Sequence, residues 1–149
     1  MKYFVTGDKK KAPRWENRKS FVQSEHKPSE KRAITVLMIC YNNTDQFFAL
    51  VDKLDKEPSR DLFTITIVQN SDKAEALKQF SEKITNYSHI NVLYPVDNLG
   101  SAGGYALGQE YALHHGYTHL IMLEDDIELL ADDTISSMIK AIDHKEKDV

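Results

Sequence analysis

Hydrophobic residues occur along this chain in two alternating patterns. Short unbroken apolar runs are separated by longer stretches in which apolar residues return every three or four positions. The first run, Ile34 to Cys40, is β-branched and aliphatic throughout, which predicts a strand covered on both faces. Asn42-Asn43-Thr44 then supplies a turn and an N-cap. Phe47, Phe48, Leu50, Val51 and Leu54 follow at helical spacing, and Pro58 closes that segment. Phe63 to Val68 predicts a second strand. Ser71 and Asp72 are placed to cap a helix with Ala74, Leu77, Phe80 and Ile84 on its inner face. Ile90 to Tyr94 reads as a third strand. Gly100 to His115 reads as a glycine-rich turn leading into a helix that stops at Gly116. His119 to Leu123 is the fourth strand, and residues 132–143 form a last helix with Asp132 or Asp133 near its start.

Strand and helix alternate four times. That order implies βαβ units, hence an α/β fold with a mostly parallel sheet and helices on its faces. The 149 residues suit one domain, and 41% hydrophobic residues supply a core. No apolar run approaches the ~20 residues of a membrane-spanning helix. The N-terminus lacks the apolar core of a secretory signal. One cysteine, Cys40, leaves no internal disulfide framework. A cytoplasmic location is the expectation.

Charge divides the chain. Residues 1–33 carry ten Lys or Arg against four Asp or Glu, whereas residues 34–149 carry nine against nineteen. The net charge of -4 thus combines a basic leader with an acidic body. An acidic body argues against a nucleic-acid partner. Residues 1–33 have no sustained period and read as a leader or the end of an upstream domain, with Trp15 and Phe21 as packing anchors. Their basic residues suit peripheral contact with an anionic membrane surface, worth at most ~1 kcal/mol each.

In an open parallel sheet, ligands bind beyond the carboxyl ends of the strands. Tyr41 and Asn42 follow the first strand, Gln69 to Asp72 the second, Asp97 and Asn98 the third, and Glu124, Asp125 and Asp126 the fourth. Three adjacent carboxylates repel one another, and a bound cation relieves that repulsion. Carboxylate oxygens suit Mg2+ or Mn2+. Strand alternation would aim Glu124 and Asp126 to one side and Asp125 to the other. A solvated acidic turn is the plainer alternative. The segment Asn98 to Gly108 carries four glycines, which suit close backbone approach either to a ligand or to the sheet. It fits neither the G-x-G-x-x-G fingerprint nor the P-loop. His114 and His115 fall at a helix end, where imidazole complements the dipole. Cys40 reads as a small core residue.

Taken in order, Tyr41-Asn42-Asn43, Ile67 to Ser71, Asn98 to Gly104 and Leu123 to Ile127 resemble the motifs of family 2 glycosyltransferases of the GT-A fold. The likeness is nearest to the galactofuranosyltransferase and rhamnosyltransferase branches and covers roughly residues 34–143. It implies a GT-A, Rossmann-like sheet that is incomplete here, with residues 34–149 as the nucleotide-sugar-binding half. It implies donor contacts from Tyr41, Asn42, Asn70, Asn98, Gly100, Gly103, Gly104, Glu124 and Asp125, with Asp126 and Glu124 as ligands of Mn2+ or Mg2+. The implied reaction is inverting, metal-dependent sugar transfer from a UDP- or dTDP-sugar to a glycan or lipid-linked glycan. Two positions depart from the pattern. Glu124 stands where these relatives usually have Asp, and Ser101 replaces a frequent Gly. A catalytic base is expected beyond Val149. Two other classes fit less well. A receiver-like signalling module would carry acids after its first strand, and a nucleotidyltransferase would carry a basic glycine-rich loop there.

Overall fold

The computed structural model describes residues 21–22 and 33–147. Five strands form one sheet: β1 (Phe21–Val22), β2 (Ile34–Cys40), β3 (Phe63–Gln69), β4 (Ile90–Tyr94) and β5 (His119–Leu123). Among the described residues four α-helices connect or follow them: α1 (Thr44–Asp55), α2 (Ala74–Ile84), α3 (Gly100–His114) and α4 (Thr134–Lys147), with a 3-10 turn at Arg60–Leu62. The strand order is β1-β4-β3-β2-β5. β2 to β5 run parallel, as the alternation predicts. The remaining pairing is new. β1 lies antiparallel on β4, with Phe21 opposite Tyr94 and Val22 opposite Leu93. A boundary at residue 33 therefore leaves out two residues that belong to the sheet. The buried Ala33 is also part of the body, since its carbonyl accepts the N–H groups of Thr118 and His119. Trp15 and the basic run at residues 9–11 lie outside the described residues.

β2 is buried along its whole length, because it sits between β3 and β5 and is covered above and below. On one face Val36, Met38, Ile65 and Ile67 meet Phe47, Phe48, Phe80, Ile135 and Ile139, so α1, α2 and α4 share that side. On the other face Leu37, Ile39, Val68 and Leu93 meet Leu107, Tyr111 and Ala112 of α3. The chain moves from β2 outward to β3 and β4, then returns to the opposite side of β2 as β5. With right-handed crossovers, that reversal puts α3 on the opposite face from α1 and α2. It also opens a crevice between the carboxyl ends of β2 and β5.

The helix starts differ from the sequence expectation. Asn43 occupies the N-cap position of α1, but its side chain donates to Gln46 Oε1 at 2.6 Å instead of capping. Ser71 and Asp72 do not cap α2; the N-cap is Lys73. Both side chains are drawn across to the β2–α1 loop instead. α4 begins at Thr134 and continues to Lys147, past residue 143. Its buried start is held from a distance. Glu57, 3% exposed, accepts the N–H of Ile135 at 2.9 Å and the hydroxyl of Ser136 at 2.8 Å, with the Ser136 N–H at 3.3 Å. A carboxylate there meets orphan donors and the positive end of the helix dipole. Glu57→Ala is expected to cost roughly 2–4 kcal/mol in urea unfolding, because the donors stay buried without an acceptor. Glu57→Gln, which keeps one acceptor, is expected to lose less.

Candidate functional site

A cavity of about 470 Å³ opens at the crevice between β2 and β5. Four loops form its walls. From the end of β2 come Ile39, Tyr41 and Asn43, with Gln46 from the first turn of α1. Asn70 follows β3, and Asn98, Gly100 and Ser101 lead into α3. Glu124, Asp125 and Asp126 follow β5. None of these lining residues is Lys, Arg or His.

The loops are tied to one another by side chains. Asn42 sits at φ +53, a left-handed conformation that Asn tolerates. From there its N–H reaches Ser71 Oγ at 2.9 Å, and its amide donates to Asp72 Oδ1 at 2.7 Å. Its carbonyl oxygen accepts the N–H groups of Asp72 and Lys73 at 3.3 and 3.2 Å. The Tyr41 hydroxyl also donates to Asp72, at 3.3 Å. The Asn42 hydrogen bond, ahead of those from Tyr41 and Asn98, holds the Asp72 carboxyl below its usual range. A depressed carboxylate stabilises the fold above its unfolded pKa, and that contribution is lost as pH falls through the lowered value. Asn42→Ala is accordingly expected to move the Asp72 titration upward toward an ordinary aspartate, read by carboxyl NMR.

Asn70 is 3% exposed and occupied in both directions. Its Oδ1 accepts the Leu99 N–H at 2.8 Å and its Nδ2 donates to the Gly100 carbonyl at 3.1 Å. Asn98 Oδ1 accepts the Gly100 N–H at 2.7 Å. These bonds fix a turn whose Gly100 stands at φ +65, where a side chain would be strained.

Past β5 the chain turns, so strand alternation no longer applies, and Glu124, Asp125 and Asp126 all reach the cavity. Asp125, expected to point away, instead accepts the Tyr41 N–H at 3.4 Å. Burial, more than any neighbouring group, pushes its carboxyl above the usual range, and the Asp126 charge adds to this. Tyr105 of α3 donates its hydroxyl to the Leu123 carbonyl at 2.8 Å. Burial, followed by the Glu124 charge, pushes that phenol to about 12.

Not every sequence candidate lies on this wall. Tyr41, Asn70, Asn98, Gly100 and the three acids line it. Asn42 braces two of the loops from behind. Gly103 and Gly104 serve packing: a Cβ on Gly103 would stand 2.9 Å from Leu99 Cβ, and one on Gly104 would stand 2.8 Å from Ile39 Cδ1. Asn43, Gln46 and Ser101 line the cavity without having been named as donor contacts. Their signal was position, in the first turns that follow β2 and β4. The histidines and the cysteine are as expected. His115 stacks on Tyr111 with ring centroids 4.0 Å apart. The Cys40 thiol is buried, and that burial raises it to about 12.

The donor set suits a hard divalent cation. Among the described residues no group of three His, Cys, Asp or Glu closes around one point. Mg2+ and Mn2+ sites commonly take only one or two carboxylates and complete their shell with water and substrate phosphates. Glu124, Asp125 and Asp126 are the carboxylates on this wall.

Fold and crevice together define an α/β, Rossmann-like protein with an open cleft at the topological switch point. Among solved structures this architecture matches a glycosyltransferase, the mannosyltransferase PcManGT from Pyrobaculum calidifontis in complex with GDP-Man and Mn2+. The match has a TM-score of 0.57 at 20% identity and covers 85% of this chain but only 36% of that one. At that identity the likeness establishes the α/β, Rossmann-like fold alone. No family model and no curated protein matches the sequence.

Proposed function

We propose that residues 34–149 are the donor-binding half of a metal-dependent glycosyltransferase, which holds a nucleoside-diphosphate sugar in the cavity between β2 and β5. The observation that carries this reading is the cavity's chemistry. Three carboxylates and four amide side chains line it, with no cationic side chain among the lining residues. A diphosphate entering such a site meets like charge, so a divalent ion must stand between the two. Tyr41, Asn43 and Gln46 offer a ring and amide edges for a nucleoside. Asn70 and Asn98 hold the Gly100–Ser101 turn that closes one wall. Glu124 and Asp126 would hold the cation, with Asp125 fixed behind them by the Tyr41 N–H. The bound cation would offset the charge that builds on the departing nucleoside diphosphate.

The finer reading follows the sequence motifs. It is a family 2 enzyme of the galactofuranosyl or rhamnosyl type, inverting, taking a UDP- or dTDP-sugar and serving a glycan or lipid-linked glycan in cell-wall polysaccharide biosynthesis. The matched neighbour was solved with GDP-Man, so guanine donors belong in the test. The setting would be cytoplasmic, with the basic leader touching the membrane. Binding rather than turnover is the readout. Calorimetric titration with UDP, dTDP, GDP and their sugars, with and without Mn2+, tests the reading. Binding of one nucleotide that requires the cation is expected. A folded sample that binds none of them overturns it.

A further inference from the structure

We infer that Tyr105 is the positioning residue of the acidic turn, holding Glu124–Asp126 in place through its hydroxyl. This rests on the reading of that turn as the cation site. β5 lies at one edge of the sheet, with β2 as its only strand neighbour among the described residues. The β2–β5 ladder ends at the pair Met38 and Leu123, so Glu124, Asp125 and Asp126 leave the sheet without a strand on either side. Among the described residues two elements tie the turn and its root to the rest of the protein, the β2–α1 loop through Tyr41 and α3 through Tyr105, whose hydroxyl also interacts with the Glu124 carboxylate. The first tie is the long contact from the Tyr41 N–H to Asp125 at 3.4 Å. The second runs from the Tyr105 hydroxyl to the carbonyl of Leu123, the residue immediately before Glu124, at 2.8 Å. The second is shorter and comes from a rigid helix.

α3 is built to deliver that hydroxyl. Gly104, next to Tyr105, lets the helix approach so closely that a Cβ there would stand 2.8 Å from Ile39 Cδ1. One turn further on, Gln109 Nε2 reaches Met122 Sδ at 3.1 Å. Residues 105 and 109 share a helix face, so α3 grips β5 at two successive residues. The ring of Tyr105 packs beside the α3-side core, a task that phenylalanine would also perform. The hydroxyl is what distinguishes the tyrosine.

Tyr105→Phe separates the two roles. Amide hydrogen exchange of Glu124–Asp126 is expected to quicken about tenfold, the loss of one net hydrogen bond, while β2 and β3 amides keep wild-type rates. Mn2+ affinity in the presence of the nucleotide that wild type binds, read from the free-Mn2+ resonance, is expected to fall by a similar factor. Gln109→Ala is expected to leave exchange in the turn unchanged. Unchanged exchange in Tyr105→Phe overturns the inference, as does equal quickening in β2 and β3 or in Gln109→Ala. Wild-type Mn2+ affinity in a variant with a loosened turn overturns it too. If the wild-type protein binds no cation, the donor-site reading fails, and the exchange measurement still decides whether Tyr105 holds the turn.

Discussion

Asp126→Ala is expected to lower cation-dependent nucleotide affinity at least 30-fold, about 2 kcal/mol, without lowering the melting temperature. Asp126 is exposed and no hydrogen bond from it supports the fold. Its carboxylate lines the cavity, where the charge is useful only to a bound cation. A site of three crowded acids is poor for stability and is sustained by what it binds. The contrast with Glu57 is instructive. That carboxylate is buried against a helix start and is satisfied by the protein itself, so its removal is expected to lower stability and leave the cavity's chemistry alone. Calorimetry on Asp126→Ala and wild type, with and without Mn2+, measures the difference. Equal affinity in both would remove Asp126 from the cation site.

Gly108→Val is expected to be the most damaging single change in α3. A Cβ at that position would stand 2.3 Å from Leu37 Cδ1 and 3.0 Å from its Cδ2. Leu37 is wholly buried in the central strand and has nowhere to move. Overpacking of this kind costs about 1–3 kcal/mol, and a branched side chain belongs at the upper end. The expected loss is roughly 10 °C in melting temperature. Gly104→Ala is milder, since it adds one methyl rather than a branched side chain and its nearest contact, Ile39 Cδ1, is 2.8 Å away rather than 2.3 Å. Ile39 also lines the cavity, so the milder change should show in nucleotide affinity before it shows in stability. Melting curves of the two variants test the order. A Gly108→Val protein as stable as wild type would mean that α3 does not rest on β2.

Much of this was readable in the sequence. Runs such as Ile34 to Cys40 and Phe63 to Val68 are short and rich in β-branched and apolar residues, as covered strands are, and their alternation with helical spacing implies a parallel sheet. The acids after β5 were legible because strand ends in such sheets face the ligand. Other features were hidden for physical reasons. Phe21–Val22 is only two residues long and becomes a strand by pairing with β4, a partner some seventy residues away. Ser71 and Asp72 are good caps by type, yet both are taken up by Asn42 some thirty residues earlier, which no local rule foresees. Gly103 and Gly104 could have served a ligand or the sheet. The structure shows both packed closely, Gly104 against Ile39 and Gly103 against Leu99. Glu57 as the support of α4 depends on residues nearly eighty positions apart.

The central claim is that one cavity, between β2 and β5, takes both cation and nucleotide. Paramagnetic broadening by Mn2+ in the presence of saturating nucleotide tests it directly. The account predicts loss of amide resonances at Glu124–Asp126, Tyr41 and Gly100–Ser101, with α2 and α4 unaffected. Broadening centred elsewhere, or none at these residues, would contradict it.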